Sequence, residues 1–481
     1  MQGIVSFDEE TISRLFGHEA AEDENVERLK EYYFKTDIYD QISVKLPLRI
    51  LVGHKGIGKS ALFSVAQQED IGKNIIVVSI KPDDILDLYS DSQDFLKIIR
   101  DWKFGLSDII CSKVLQTICP NRIDLSSKFK NSGGKLLDFL NNTFKSYFQE
   151  TRIDLKPAKE KVINSFLQKN IINVYIDDLD RGWQGRKEDI TRISALLNAV
   201  RDLSKDNNGL NFKVSLRSDV YYLIRTADES TDKIEGSVIW QTWTQNEILF
   251  MLVKRIETFF GRLINEEELI KREKNVSDYL DPIFERFFEG EGHWKNVPIH
   301  KVIMSLVRKR PRDLIKLCTL AARAAKKRRV TKIGTKDLES VFQEYSQGRL
   351  QDAINEYRSE LPDIERLLIN MRPSRKQQQA KQSYLFTTDE LLKKLTNVEQ
   401  TGKFVFSSGE VASLKDLAGF MYKINFLTAR MDTKRVIDRK YFEENRYLSN
   451  QFTDFGYNWE IHPAYRWALQ PLTTEDLFCQ L

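Results

Sequence analysis

Gly53-His54-Lys55-Gly56-Ile57-Gly58-Lys59-Ser60 is the stretch on which the reading of this chain turns. It carries the glycine, glycine, lysine and hydroxyl spacing of a phosphate-binding loop. The glycines let the backbone curl until successive N–H groups point inward and form an anion nest at the start of a helix. Lys59 brings a positive charge to the β- and γ-phosphates of a nucleotide, and the Ser60 hydroxyl is a ligand for Mg²⁺. Gly53, His54, Lys55, Gly56, Ile57, Gly58, Lys59, Ser60 and Ala61 are therefore the candidate nucleotide-binding residues. The context agrees: Leu48-Arg-Ile-Leu-Val52 is an apolar run of strand length, and Ala61-Leu-Phe-Ser-Val-Ala66 reads as a helix.

Working outward, Asn74–Ile80, Ile171–Ile176 and Leu210–Leu216 are further β-branched or apolar runs, and Val238–Trp243 is a possible fifth. Residues 93–120 and 134–170 carry helix-period apolar spacing, with Ile98, Trp102 and Leu106 among the anchors. Continuous apolar runs separated by helices predict an α/β core whose parallel sheet is covered by helices on both faces.

The third run ends in Asp177-Asp178-Leu-Asp180-Arg181. An acid at the tip of a buried strand beside the loop holds Mg²⁺ directly or through water, the role assigned to Asp177. Asp178, one residue on, is placed to polarise the attacking water as a general base. Asp180 and Arg181 are expected to organise the turn as a salt bridge. Arg217 ends the fourth run, between the loop strand and the acidic strand, with Ser215 behind it. It is the candidate γ-phosphate sensor, against the alternative of a simple pair with Asp219. Arg310 and Arg312 open a later helix and are both candidates to close over the nucleotide. Arg181, Arg186 and Arg192 are weaker candidates for arginines acting in trans in an oligomer.

With 41% hydrophobic and 30% charged residues the chain is of globular composition. Its net charge of +4 gives no whole-chain case for nucleic acid, so any such case rests on a local patch. Arg308–Lys332 is that patch, with eleven basic residues against one acid, Asp313. The four cysteines (Cys111, Cys119, Cys318 and Cys479) and five histidines show no metal-ligand spacing. No apolar run approaches the roughly 20 residues of a membrane span, and the acidic N-terminus lacks signal-peptide character. A cytoplasmic protein without a membrane role is expected. Arg372–Gln382 is polar and aperiodic, a linker or loop, and Leu414, Leu417, Ala418, Met421 and Ile424 share one helical face.

The loop, the Ile176–Arg181 box and the Arg-Pro-Arg-Asp-Leu segment resemble the KAP and STAND branches of the AAA+-related P-loop ATPases. More closely, the chain looks like a bacterial family of stand-alone P-loop ATPases. The added likeness lies in the leader Phe16-Gly…Ala20-Ala-Glu22…Tyr33-Phe…Thr36-Asp-Ile-Tyr39 and in the tail, Phe420–Leu427 and Trp459–Leu469. The resemblance implies a P-loop NTPase core followed by a helical lid and a C-terminal winged-helix-like α+β domain. The expected division is a helical leader over 1–45, the core over 46–244, the lid over 245–348 and the winged-helix-like domain over 349–481. It also implies ATP and Mg²⁺ as cofactors, a homo-oligomer, and an effector protein partner, since no effector domain is visible. The expectation is a regulatory ATPase whose cycle controls assembly or that effector, as in bacterial anti-phage defence. The alternatives are a nucleic-acid-dependent motor or loader using Arg308–Lys332, and a non-hydrolytic nucleotide-gated scaffold.

Overall fold

Five of the apolar runs become parallel strands because both faces of each are covered: β1 (Leu48–Gly53), β2 (Ile76–Ile80), β3 (Ile172–Ile176), β4 (Leu210–Arg217) and β5 (Val238–Trp240). Their order in the sheet is β2-β3-β4-β1-β5. The computed structural model describes residues 5–88, 92, 94–118, 136–150, 165, 166, 168–227, 229–262, 264, 266–271, 276–374, 384–432, 437–445, 448 and 456–469. Cys119, Cys479, most of the linker expected at 372–382 and most of 151–170 lie outside them. The helices in and before this part are α1 (Glu9–Phe16), α2 (Val26–Tyr32), α3 (Asp37–Ser43), α4 (Lys59–Gly72), α5 (Phe95–Ile118), α6 (Leu136–Glu150), α7 (Lys187–Asp206) and α8 (Ser218–Ala227).

The chain forms two compact units. The sheet unit comprises Asn25–Lys30 and Lys35–Gln241; the other comprises Met1–Glu24, Glu31–Phe34 and Thr242–Leu481. In the sheet unit Ile50, Val52, Val78, Ile172, Val174, Ile176, Phe212 and Val214 join Trp102, Leu106 and Ile110 of α5 and Ile193, Leu196 and Leu197 of α7 in one apolar core. Each such aliphatic side chain contributes about 1.5–3 kcal/mol on burial.

The opposite face of β3 and β4 is polar and also buried. With a side-chain period of two, Asn173, Tyr175, Asn211 and Lys213 all fall on it. They are resolved by Asp70 near the end of α4. Its Oδ2 accepts from Asn173 Nδ2 and from the Tyr175 hydroxyl, both at 2.6 Å. Lys213 Nζ lies 2.8 Å from the Tyr175 hydroxyl and 3.5 Å from Asp70 Oδ2, and Asn211 donates to Asn173 Oδ1 at 3.0 Å. Lys213 is 2% exposed, and burial lowers its ammonium pKa while Asp70 opposes the shift. This cluster pins α4 to the two strands that carry the acids and Arg217.

The second unit holds α9 (Gln245–Phe259), α10 (Glu266–Lys271), α11 (Val276–Leu280), α12 (Ile299–Leu306), α13 (Pro311–Arg328), α14 (Thr335–Tyr357) and α15 (Ile364–Ile369). One short antiparallel pair interrupts this helical stretch, β6 (Phe287–Phe288) with β7 (Val297–Pro298), where the sequence predicts none. Then follow β8 (Leu385–Phe386), α16 (Thr388–Glu399), α17 (Leu414–Lys423), β9 (Leu427–Asp432), β10 (Ile437–Lys440), β11 (Asn458–Ile461) and α18 (Arg466–Leu469). The antiparallel sheet β10-β9-β11-β8 with α16 and α17 is the winged-helix-like arrangement expected. Leu417 to Tyr422 of α17 are all buried, so this helix presents little free surface; Phe420 meets Tyr357 and Phe406, and Tyr422 meets Phe442 and Trp459.

Glu460 is the charged centre of that sheet, accepting from Arg430 Nη1, Arg439 Nε and Arg466 Nη2, each at 2.6 Å. Burial raises its carboxyl, but the three guanidiniums outweigh this and hold it well below the usual carboxylate range. His462 is a packed structural histidine. Its Nδ1 accepts from Ala464 N at 3.1 Å, which leaves the ring proton on Nε2, facing the Tyr441 hydroxyl at 2.9 Å. Among the described residues no helix is long and apolar enough to cross a membrane.

Two predictions follow from these buried charges. Lys213→Ala leaves Asp70 without its cation and should destabilise the sheet unit by about 3–5 kcal/mol. Calorimetry of Lys213→Met, Asp70→Asn and the double variant should show losses well short of additive; additive losses would mean the two groups do not interact. The second concerns acid. Burial holds His462 well below its ordinary 6.5, so its contribution is present above pH 6.5 and is lost progressively as pH falls below that value toward the depressed folded one. The depressed Glu460 adds a further loss below its unfolded value of 4.5. Melting temperature against pH should therefore fall in two stages, and His462→Gln should remove only the upper one.

Candidate functional site

The loop after β1 is built from two left-handed glycines, Gly56 (φ 77°) and Gly58 (φ 99°), before α4 starts at Lys59. A Cβ at Gly58 would meet nothing within 4 Å, so it is the backbone angle that calls for glycine there. Gly53 is glycine for space: a Cβ would lie 2.9 Å from Ile57 and 3.1 Å from Gln241. The Lys59 ammonium donates to Gly53 O at 2.9 Å and to His54 O at 3.2 Å, which lays it along the loop. Lys55 is exposed, while His54 is buried with Nδ1 3.0 Å from the Ser218 hydroxyl. The His54 side chain therefore serves the frame of the loop, and its backbone is what remains for a ligand.

The sheet places the other candidates at the same edge. Gly53 is in register with Arg217 of β4, and β4 separates β1 from β3. Asp177 N continues the ladder onto Ile80 O at 3.2 Å, and its Oδ1 accepts from Asp178 N at 2.9 Å. Asp178 then turns left-handed (φ 61°), a conformation that aspartate and asparagine tolerate better than other side chains with a Cβ. Its side chain is exposed and lies beyond the strand. The expected Asp180–Arg181 bridge is corrected here: Asp180 Oδ2 accepts from Arg217 Nη1 at 3.3 Å. Arg217 also makes a bidentate pair with Asp219, at 3.0 and 2.6 Å, so the simple pairing weighed from sequence is present. Ser215 is buried behind it, and Arg181 and Arg186 are exposed while Arg192 is half-buried.

The residues fit a magnesium nucleotide. A nest with a lysine, a hydroxyl in the first turn of α4 and a carboxylate two strands away are the hard donors such a ligand takes. Sequence reasoning missed Gln241, which follows β5 and lies against Gly53. It is 1% exposed, and neither its Nε2 nor its Oε1 has a hydrogen-bond partner among the described residues. A buried orphan amide beside the loop marks a place for a water or ligand group. Only its position, one residue past a short strand, would have hinted at it. No group of three or more His, Cys, Asp and Glu side chains that could hold a metal ion occurs among the described residues.

The basic run Arg308–Lys332 reads differently in three dimensions. Arg308 and Arg310 are each 2% exposed. Arg308 pairs with Asp313 at 2.7 Å and donates to the Tyr465 hydroxyl, while Arg310 pairs with Glu356 at 2.9 Å. Arg310 is thus paired inside its own unit. Arg312, half-buried, donates to Glu19 O at 3.2 Å. Lys309, Lys316, Arg323 and Arg328 pair with Glu444, Glu19, Glu9 and Asp337. Six of the eleven basic residues are paired, five of them with acids from elsewhere in the same unit, and the exposed remainder is Lys326, Lys327, Arg329 and Lys332 beyond or at the end of α13.

Comparison with known proteins adds the following. A family model described as a FunZ-associated C-terminal helical domain matches residues 246–354. The chain is 22% identical over 386 residues to an 80.3 kDa protein ascribed to transposon gamma-delta in Escherichia coli (strain K12), covering 73% of this chain and 53% of that one. The chain therefore spans about half the length of that relative. Among solved structures, a Walker-type ATPase of Pyrococcus abyssi aligns at 12% identity and TM-score 0.43, over 91% of this chain and 96% of that one. The ORC2 protein of Aeropyrum pernix in ADPNP–ADP complexes aligns at 10% identity and TM-score 0.39, over 94% and 91%. The ORC1 protein of Aeropyrum pernix in complex with DNA aligns at 11% identity and TM-score 0.32, over 93% and 91%.

Arg308→Ala should act on stability. Losing one partner of a fully buried pair costs about 3–5 kcal/mol, against less than about 1 kcal/mol for Lys327→Ala on the surface. Denaturant titration of the two variants checks this, and similar midpoints would refute the buried-pair assignment.

Proposed function

We propose that this chain is a Mg²⁺-dependent ATPase of the P-loop type, in which hydrolysis at the sheet unit regulates assembly or a partner protein. The observation that carries it is the conjunction at one sheet edge of the glycine-built loop with Lys59, the Asp177–Asp178 pair, and Arg217 on the strand between them.

In this reading the backbone N–H groups from Gly53 to Ala61 cradle the phosphates, and the Lys59 ammonium moves from the loop carbonyls to the β- and γ-oxygens. Ser60 Oγ and the Asp177 carboxylate are the donors that would hold Mg²⁺, whose charge would offset that of the phosphates. Asp178, exposed just past the strand tip, accepts the proton of the attacking water. Arg217 meets the γ-phosphate by exchanging its contact to Asp180 for a phosphate oxygen. Adenine is favoured by the family resemblance, the sequence holding no Asn-Lys-x-Asp signature of guanine readers.

The second unit supplies the regulatory half of the proposal, with 245–348 as lid and 349–481 as the winged-helix-like domain. Self-assembly, an effector partner and a setting in bacterial anti-phage defence complete it, and these rest on the motif resemblance. The buried α17 and the internally paired basic run favour this reading over a nucleic-acid-dependent motor.

Phosphate release from the full chain with ATP and Mg²⁺, with and without DNA, tests it. Lys59→Ala should lower turnover by about 100-fold or more. Asp178→Asn should lower it by a similar factor while leaving nucleotide binding and folding intact, since asparagine accepts the left-handed backbone. Nucleotide binding without turnover in the unsubstituted chain would leave a gated scaffold in place of the enzyme, and stimulation by DNA would favour the motor.

A further inference from the structure

β4 stands between the loop strand and the acidic strand, so a link between the two loops along this sheet edge crosses its tip. The residues at that tip are polar and mutually engaged. Arg217 holds Asp219 with two N–H groups and reaches Asp180, in the acidic loop, with a third at 3.3 Å. The next residue, Ser218, opens α8 and meets His54 Nδ1 in the phosphate-binding loop at 3.0 Å. His54, Ser218 and Asp219 are all buried. We infer that His54, Ser218, Arg217 and Asp180 form a relay that couples the conformation of the phosphate-binding loop to that of the acidic loop.

The geometry gives each member a distinct part. The bidentate pair to Asp219 fixes the plane of the guanidinium, as two parallel N–H···O bonds do. Its contact to Asp180 is the longest of the three and the one free to exchange. Asp180 sits in a tight turn in which Arg181 N donates to Asp178 O and Trp183 N donates to Asp180 O, both at 3.0 Å. A shift of Asp180 therefore carries Asp178 with it. At the other end the His54 carbonyl accepts from Lys59 at 3.2 Å while its ring is held by Ser218, so a shift of the β4 tip reaches the lysine through one residue. His54 and Asp180 are positioning residues, acting through Lys59 and Asp178.

The inference rests on the ATPase reading for its purpose, but the coupling itself is testable without nucleotide. Hydrogen exchange by mass spectrometry on the full chain would compare Asp180→Asn, Ser218→Ala and Ser218→Thr with the unsubstituted protein. Asp180→Asn should speed exchange at residues 53–61 by about threefold or more, and Ser218→Ala should do the same at 177–183, the size expected of coupled neighbours. Ser218→Thr, which keeps the hydroxyl, should restore the protection. Changes confined to each variant's own loop, or an unrescued Ser218→Thr with an unchanged melting temperature, would overturn the relay. A second readout is affinity for ATP with Mg²⁺, where the double variant Asp180→Asn, Ser218→Ala should depart from the product of the singles by about threefold or more. An unsubstituted chain that binds no ATP would sink the ATPase reading, while hydrogen exchange would still decide the relay.

Discussion

A phosphate nest works only if several backbone N–H groups converge on one point, and everything around the Gly53–Ser60 loop exists to hold that convergence. Two left-handed glycines supply the curl, but curl alone is floppy. Rigidity comes from the two elements the loop joins. β1 is locked between β4 and β5, and α4 is tied to β3 and β4 through Asp70, Asn173, Tyr175 and Lys213. An apolar helix–sheet contact would hold α4 down while allowing it to slide. Hydrogen bonds between a carboxylate and three fixed donors specify its register as well.

The same device recurs in the second unit with a different purpose. Glu460 gathers three arginines from β9, β10 and α18, and Asp313 gathers Arg308 and Arg349. Buried ion pairs of this kind add little net stability over an apolar core, because desolvation offsets most of the Coulomb attraction. What they add is intolerance of rearrangement: a segment that loses its partner leaves a charge stranded. Arg308 meets both Asp313 at the start of α13 and Tyr465 after the C-terminal sheet, so the helical and mixed segments of this unit are bound as one body.

Much of the sheet unit was legible in the sequence because parallel strands buried on both faces advertise themselves as unbroken apolar runs. The loop, its helix, the acidic tip and Arg217 beside Gly53 followed from motif and order alone. Legibility failed where a residue's meaning depends on a partner distant in sequence. Lys213 lies in an apolar run and looks like an interruption until Asp70 is placed beneath it. Asp180 pairs with Arg217, 37 positions on, instead of its neighbour Arg181. Arg308–Lys332 looks like a polyanion site because the acids that neutralise it, from Glu9 to Glu444, are scattered along the chain. The domain arithmetic has the same weakness: Met1–Glu24 belongs with Thr242–Leu481 through contacts that no local pattern announces, such as Arg255 with Phe16 O and Tyr32.

Asp178 is where local preference and function part company. The backbone there is left-handed, which glycine adopts without strain and asparagine with little. The residue is exposed and at the end of a strand, so packing does not select an acid. The Asp178 N–H is taken by the neighbouring Asp177 carboxylate. A negative charge beside a second acid is also mildly unfavourable on its own account. Neither backbone conformation nor burial by itself selects an acid at this position. Asp178 stands two strands from Lys59 and the phosphate-binding loop, and the proposed role of the pair toward water and metal rests on that position.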